Sequence, residues 1–470
     1  MSQVQYDFGM IGLGVMGRNF LLNVADNGFS AIGLDLDAEK AKALETEAEG
    51  RTIKGTTDMA EFVSLLKKPR RIMLLVPAGK VVDAVSKDLL QYLDQGDLII
   101  DGGNSHFPDT DRRVPEYAEK GIHFLGVGVS GGAKGARFGP SIMPGGNKEA
   151  YDIIKPVFEA VAAKVNGDPC VAYMGSGSAG HYVKMVHNGI EYGMMQLIAE
   201  AYDLLKGAAG LSNEELHLVF DKWNKGRLRS FLVEITAAIF AQPDDQGDGW
   251  LVDKILDKAK QKGTGKWTSQ NAMDLGIPIP TIDAAVTMRG LSALKKEREA
   301  MDKKYPHYTP EDDSIEAEEV IEQVEEALYF AFIMTYAQGL ALLADASVEH
   351  NYDLNLAEIA KIWRGGCIIR ADLLELIRKA YADDPDLTNL LGSEVFRKAV
   401  TETQNSARKV IKLGIDRAIP TMALSTALNY FDAYRNQRLP LNLVQAQRDH
   451  FGSHTYERVD KEGVFHTNWE

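Results

Sequence analysis

Asp7-Phe8-Gly9-Met10-Ile11-Gly12-Leu13-Gly14-Val15-Met16-Gly17 is the stretch that decides the fold. Residues 7–11 are apolar enough for a short strand buried on both faces. A helical pattern follows the glycines and runs to Asn27-Gly28. A GxGxxG run alone is a weak signal. Set between strand and helix, with an acid about 20 residues further on, it is the fingerprint of a dinucleotide-binding βαβ unit. The glycines permit a tight turn, close approach of a pyrophosphate, and close packing of helix on strand. The helix N-terminus adds free N–H groups and a positive dipole end. The competing reading is a glycine turn that holds no ligand.

Working outward, residues 30–34 read as a second strand, and further buried strands are expected at 71–76, 98–101, 124–129 and 141–144. Helical patterns lie between them, for example over 80–92. This alternation predicts a Rossmann-type α/β domain with a parallel, doubly wound sheet. Ligands of such sheets lie beyond the C-terminal strand ends. Val76-Pro77-Ala78-Gly79, Asp101-Gly102-Gly103-Asn104-Ser105 and Val129-Ser130-Gly131-Gly132 all fall there, pairing small residues with hydrogen-bonding ones. After the second strand the chain reads Asp35-Leu36-Asp37. A carboxylate there accepts hydrogen bonds from ribose hydroxyls and repels a 2′-phosphate, which calls for an Arg. Two acids and no Arg favour NAD over NADP, although Lys40 and Lys42 follow in the next helix.

A second stretch carries the chemistry. Lys184-Met-Val-His187-Asn188-Gly-Ile-Glu191-Tyr192 contains no proline and sits in helix-forming sequence. Seven residues of helix fall roughly 20° short of two turns and rise roughly 10 Å. Lys184, His187, Asn188 and Glu191 therefore share one face, with Tyr192 beside them. A base and an acid stand about one small sugar apart. A surface salt-bridge stripe is the plain alternative. The polar residues between the charges, and the flexible approach Gly175-Ser-Gly-Ser-Ala-Gly180, argue against it.

The 470 residues call for two or three domains, and the net charge of −15 opposes non-specific binding to nucleic acid or anionic membrane. Two cysteines, Cys170 and Cys367, without a CxxC or Cys/His cluster suggest a reducing compartment and no structural metal. The N-terminus lacks a basic region followed by an apolar core, so no secretory signal is expected and a cytoplasmic location is. The apolar run 327–344 is broken by Thr335, Gln338, Gly339 and two tyrosines, which predicts a buried core helix rather than a membrane span.

Beyond about residue 179 helical patterns dominate and contain a degenerate repeat. Residues 196–205 resemble 334–343, and each is followed by a Trp-x-x-Gly, at Trp223–Gly226 and Trp363–Gly366. The repeat sets Glu322 opposite Lys184 and Tyr329 opposite Glu191, so only the first copy carries the acid/base pair and the second is expected to be scaffold. Lys262-Gly-Thr264-Gly-Lys266-Trp267 reads as a glycine-flexed loop able to face a phosphate. Arg289 lies in a helical stretch. The segment from Asn436 onward holds a dense set of Arg, His and aromatic residues and reads as a docked tail. The expected domains are 1–178, 179–435 and the tail 436–470.

Seven motifs then occur in order: IGLGVMGRN at 11–19, DGGNS at 101–105, GVSGGAKGARFGPSIMPGG at 128–146, KMVHNGIEYGMMQ at 184–196, KGTGKWT at 262–268, QRDHFGSHTYER at 447–458 and HTNW at 466–469. In them the chain resembles the decarboxylating 6-phosphogluconate dehydrogenases along nearly its whole length. The resemblance implies a Rossmann domain, a large all-helical domain forming a homodimer interface, and a tail that completes the partner's active site. It implies oxidative decarboxylation of 6-phosphogluconate to ribulose 5-phosphate with NAD or NADP, a step of the pentose phosphate pathway, without metal.

Carried over by position, Lys184 becomes the general base and acid, and Glu191 the acid that protonates the product. Substrate would lie on Asn104, Ser130, Gly131, Gly132, His187, Asn188, Tyr192, Lys262 and Arg289, with Arg448 and His454 supplied by the neighbouring subunit. Cofactor would lie on Gly12, Leu13, Gly14, Val15, Met16, Gly17, Asp35, Leu36, Asp37, Val76, Pro77, Ala78 and Asn104. The chain departs from NADP-specific relatives, which typically carry Asn-Arg-Thr at 35–37 and a lysine at Pro77; both departures favour NAD. Two other readings stay open: a different β-hydroxyacid dehydrogenase, such as one acting on 3-hydroxyisobutyrate, and a non-catalytic nucleotide-binding or redox-sensing protein on the same scaffold.

Overall fold

A computed structural model describes residues 4–306, 308 and 315–469. Met1–Gln3, the start of the stretch read for a targeting signal, lie outside the described residues. The first 175 residues or so build a seven-stranded sheet from β1 (Phe8–Ile11), β2 (Ala31–Leu34), β3 (Ile53–Thr56), β4 (Arg71–Leu74), β5 (Leu98–Asp101), β6 (His123–Ser130) and β7 (Ser141–Gly146), in the order β3-β2-β1-β4-β5-β6-β7. Strands β1, β2, β4 and β5 consist almost wholly of buried residues, as strands covered on both faces must. The strand order reverses between β1 and β4, which opens a crevice beyond their C-terminal ends.

Seven helices cover the sheet: α1 (Val15–Asp26), α2 (Ala38–Thr46), α3 (Met59–Ser64), α4 (Lys80–Leu89), α5 (Phe107–Ala118), α6 (Gly132–Phe138) and α7 (Lys148–Val161). One core gathers Phe8, Phe20 and Phe158, with Phe20 edge-on to Phe158 at 6.5 Å. The other face buries Phe62, Val82, Leu89 and Tyr117.

Two expectations about the sheet need correction. Strand β3, Ile-Lys-Gly-Thr, was not anticipated; as an edge strand it is mostly half-buried and lacks the apolar run that marks its neighbours. Strand β7 runs antiparallel to β6. The connection between them holds little more than the seven residues of α6, and a parallel return needs a crossover of roughly a dozen or more. The small hairpin β8 (Lys164–Val165) and β9 (Asp168–Pro169) then leads out of the domain.

The helical part holds the repeat. In the first copy α8 (Ala179–Gly207) is followed by α9 (Asn213–Trp223), α10 (Phe231–Phe240), the short α11 (Leu251–Lys254), α12 (Thr264–Leu275), α13 (Pro280–Ala293) and α14 (Lys295–Asp302). In the second, α15 (Ala317–Glu349) is followed by α16 (Leu356–Trp363), α17 (Leu373–Asp383), α18 (Glu394–Asp416) and α19 (Met422–Tyr434). The long helices α8 and α15 pack against each other, and Trp223 and Trp363 end corresponding helices, both fully buried. The copies join where Phe231 N–H donates to Arg370 O and Asp372 N–H to Arg229 O, each at 3.0 Å. Among the described residues α15 alone is long and apolar enough to cross a membrane, and 89% of its apolar window is buried within the protein.

The start of α8 is pressed into the sheet. A Cβ on Gly180 would stand 2.3 Å from the carbonyl oxygens of both Gly126 on β6 and Met143 on β7. Only a residue without a side chain allows this approach, and it fixes the helix bearing Lys184 to the strands bearing the first domain's loops.

After α19 the chain forms α20 (Leu441–Gly452) and a hairpin of β10 (Tyr456–Glu457) and β11 (Val464–Phe465). The tail was expected to be docked. Within this chain it folds upon itself, around the buried Asp449. That carboxylate accepts hydrogen bonds from Thr455 N (3.0 Å), His466 Nδ1 (2.8 Å), Thr467 N (3.1 Å) and Trp469 Nε1 (2.9 Å). Leu443 and Phe451 are left 61% and 73% exposed, an apolar face unusual for a finished surface.

Candidate active site

The dinucleotide turn has the shape its sequence demands. Gly12 adopts φ +97°, and a Cβ on Gly17 would lie 1.9 Å from Gly12 O, so helix and strand meet backbone to backbone. A Cβ on Gly14 would meet nothing within 4 Å, so the turn is open on the side a pyrophosphate would approach. Gly14 caps α1 without any side-chain bond, leaving the first-turn N–H groups free. Val15 is exposed, and Met16 reaches the crevice. These residues fit a nicotinamide dinucleotide.

Asp35 does two things at once. Its Oδ2 accepts Leu13 N–H at 2.8 Å, and its Oδ1 accepts Asp37 N–H at 3.0 Å and faces Lys40 Nζ at 3.4 Å. It thus ties the end of β2 to the glycine turn. Asp37 caps α2 through Glu39 N–H, and Lys40 reaches back between both carboxylates. Leu36 between them is 95% exposed.

A cleft of about 620 Å³ lies between the domains. Met16, Val76, Pro77, Ala78, Gly103 and Asn104 line one side, and Asn188, Glu191, Tyr192, Lys262, Thr264, Trp267 and Arg289 line the other. The face predicted on 184–192 is real and falls within α8. Lys184 is buried, and its Nζ donates to Asn188 Oδ1 (2.7 Å) and Ser130 Oγ (3.2 Å) and stands 3.4 Å from His187 Nδ1. His187 is fully buried, with Nδ1 at 3.0 Å from Asn188 Oδ1 and Nε2 at 3.5 Å from Ser130 Oγ. Asn188 in turn donates to Thr264 Oγ1 at 3.2 Å.

Burial sets the charges. Desolvation lowers the Lys184 pKa below its ordinary value, against the opposing fields of Glu191 and Cys367. Desolvation and the Lys184 charge hold His187 well below its ordinary range, so the ring is neutral. Desolvation raises Glu191, against the pull of Lys184 and Arg289. An amine shifted towards neutrality and a carboxyl shifted towards protonation thus share one helix face, a pairing suited to proton transfer.

Arg289, on α13, was unremarkable in sequence. Its guanidinium lies over the Tyr192 ring, 4.1 Å from the centroid, and donates to Lys260 O at 2.7 Å. The segment 262–267 was expected to be a loop; Lys262 and Gly263 are non-helical, with Gly263 as N-cap, but Thr264–Trp267 form the first turn of α12. The first-turn N–H groups of a helix have no intrahelical acceptor. Gly131 and Gly132 turn β6 into α6 with φ of +108° and +61°. Arg448 and His454 are exposed on the tail and do not line this chain's cleft.

The sequence reading set Thr264 and Trp267 in a phosphate-facing segment without naming them as substrate residues, and it missed Lys260. The KGTGKWT motif contains the first two and was the available signal for them. It also missed His106 stacked on Trp267 at 4.6 Å, a contact that joins the two sides of the cleft.

Comparison with known proteins agrees with this geometry. Residues 7–175 match the profile of the NAD binding domain of 6-phosphogluconate dehydrogenase, and residues 180–469 match that of the 6-phosphogluconate dehydrogenase C-terminal domain. The chain is 51% identical over 467 residues to a decarboxylating 6-phosphogluconate dehydrogenase of Lactococcus lactis, covering 99% of each chain. It is 52% identical over 471 residues to the NADP(+)-dependent decarboxylating enzyme of Bacillus subtilis, covering 100% of each. The solved Plasmodium falciparum 6-phosphogluconate dehydrogenase, determined in apo form and in complexes with NADP+ and with 6-phosphogluconate, superposes with a TM-score of 0.96 at 45% identity, over 98% of this chain and 100% of that one. Full-length agreement in sequence and fold places the chain in the 6-phosphogluconate dehydrogenase family.

Proposed function

We propose that this protein oxidatively decarboxylates 6-phosphogluconate to ribulose 5-phosphate and CO2, with Lys184 as base and Glu191 as acid. The observation that carries the proposal is the buried Lys184 amine, held by Asn188 and Ser130, with a protonation-prone Glu191 two turns along the same face. Neutral Lys184 takes the C3 hydroxyl proton. The nicotinamide, when bound on Gly12–Gly17 and Val76–Ala78, accepts the hydrogen of C3 with its electron pair. With a ketone at C3, the C1–C2 bond can break, CO2 departs, and its electrons enter the C2–C3 bond. Lys184 returns its proton to O3, giving an enediol. Glu191 then protonates the carbon that lost CO2 while Lys184 takes back the O3 proton and the C3 carbonyl re-forms; the protonated carbon becomes C1 of ribulose 5-phosphate. Ser130, Gly131, Gly132, Asn104, His187 and Asn188 would hold the sugar chain, while Lys262, Arg289, Tyr192 and the start of α12 would hold the phosphate.

The charge at 35–37 supports NAD as the preferred cofactor. Two carboxylates against one lysine leave that corner negative, and residues 35–37 include no arginine for a 2′-phosphate. The B. subtilis relative is NADP(+)-dependent and the P. falciparum enzyme was solved with NADP+, so this preference would set the chain apart from them. The self-folded tail with its exposed apolar face supports a homodimer in which each tail brings Arg448 and His454 to the other subunit's cleft. Two free, buried cysteines agree with a cytoplasmic setting. The direct test is purified protein with 6-phosphogluconate and either NAD or NADP. Formation of reduced nicotinamide with matching CO2 release is expected, faster at low NAD than at low NADP. No reduced nicotinamide with either would overturn the function.

A further inference from the structure

The second helical copy carries no acid/base pair, yet its Trp-x-x-Gly turn lies against the site. The Trp363 ring meets His187 edge-on, with centroids 5.4 Å apart and planes at 76°. Gly366 O accepts Ser141 N–H at 2.8 Å, and Ser141 Oγ donates to Ile362 O at 2.8 Å, which bonds the turn to the sheet at β7. A Cβ on Gly131 would lie 2.5 Å from Gly366 O, and a Cβ on Gly366 would lie 2.5 Å from Pro140 C and Ser141 N. The first copy supplies a matched contrast. Trp223 is as deeply buried as Trp363, and both indole N–H groups lack a hydrogen-bond partner. Trp223 packs on Phe220, not on the site, and a Cβ on Gly226 would meet nothing closer than 3.6 Å.

We propose that Trp363 and Gly366 are positioning residues for the reaction: Trp363 fixes the His187 ring, and through it the Lys184–Asn188 pair, while Gly366 fixes the backbone of Gly131. The inference rests on the function proposed above. His187 has no freedom to turn while its ring edge is against the indole and its nitrogens face Asn188 and Ser130. The indole covers the His187 ring, whose Nδ1 lies 3.4 Å from the buried Lys184 Nζ. The titratable groups facing Lys184 are His187 and Glu191 on its own helix and Cys367 on the turn, whose thiol burial pushes up to about 12, so it stays neutral. The acid-side response of Lys184 therefore reports on solvent entry beside it.

The test compares W363L with W223L in the full-length enzyme, using kcat/KM for 6-phosphogluconate against pH and binding of 6-phosphogluconate by calorimetry. Both variants should lose thermal stability. Only W363L should move the acid limb of kcat/KM to higher pH, by about one unit as Lys184 is rehydrated. It should also weaken 6-phosphogluconate binding roughly tenfold through misplacement of the sugar-holding face. W363F, which keeps an aromatic edge against His187, should restore both. An acid limb in W363L that coincides with that of W223L overturns the inference, whereas a wild-type enzyme that reduces no nicotinamide overturns the function instead. If W363L does not fold, G366A against G226A asks the same question. Weakened binding in G366A alone supports the inference, and equal binding in the two overturns it.

Discussion

Asn188 Oδ1 lies 2.7 Å from Lys184 Nζ, one helical turn away on the same face of α8, and also 3.0 Å from His187 Nδ1. A neutral amide thus receives both hydrogen bonds, where a carboxylate would lock the lysine as an ammonium. Asn188→Asp should raise the Lys184 pKa, because an opposite charge within about 4–6 Å shifts a group by roughly 1–3 units. The acid limb of kcat/KM should move to higher pH by a similar amount. An unmoved limb, read from the pH–rate profile, would remove Lys184 as its source.

Lys184→Ala should lower kcat by at least the 10²–10⁴-fold that general acid–base catalysis typically contributes, roughly stated, while 6-phosphogluconate still binds by calorimetry. Near-wild-type turnover would refute the base assignment.

The wild-type pH profile should be bell-shaped. Lys184 must be neutral, so activity rises with pH through its lowered pKa; Glu191 must be protonated, so activity falls as pH rises through its raised pKa. Glu191→Gln should remove the alkaline limb along with most turnover. A Gln variant that keeps that limb would assign it to another group.

Cofactor choice should respond to two positions that behave differently. Leu36 is 95% exposed, so an arginine fits there without loss of packing. Asp35 also accepts Leu13 N–H, so it needs a replacement that still accepts a hydrogen bond. Asp35→Asn with Leu36→Arg should therefore shift kcat/KM towards NADP while keeping the turn intact. An unchanged NADP/NAD ratio would count against the charge argument.

Removing residues 436–470 should abolish activity while leaving the bulk of the fold, because the tail packs on itself and carries Arg448 and His454. Arg448→Ala mixed with Lys184→Ala should recover activity in heterodimers, since one of the two sites then holds an intact lysine from one chain and an intact arginine from the other, while the second site lacks both. No recovery after confirmed subunit exchange would place the tail's function within its own subunit.

The local features of this protein were readable in its sequence. The turn at Gly12–Gly17 depends on residues adjacent in the chain, and the face from Lys184 to Tyr192 follows from helical period alone. Residues brought together across long separations were not legible without the family resemblance. Nothing near Arg289 points to the Tyr192 ring it covers, and nothing near Trp363 points to His187. The edge strand Ile53–Thr56 escaped notice because half-buried residues carry no apolar run. The direction of β7 depends on the shortness of α6, a constraint of chain length rather than of pattern. Within the tail, His466 and Trp469 gather on Asp449, a pairing across 17 and 20 residues that local pattern does not show.

The contact of Gly180 with Gly126 and Met143 makes the cleft behave as a caliper with its jaws set. No hinge can open at the start of α8 without pulling apart backbone that touches backbone, so a sugar acid is measured rather than gripped. With the phosphate on Lys262 and Arg289, as proposed, their set distance from Lys184 would leave a single chain length that brings the correct hydroxyl to the amine. Homologues one carbon shorter or longer would bind by the same anchor and present the wrong carbon.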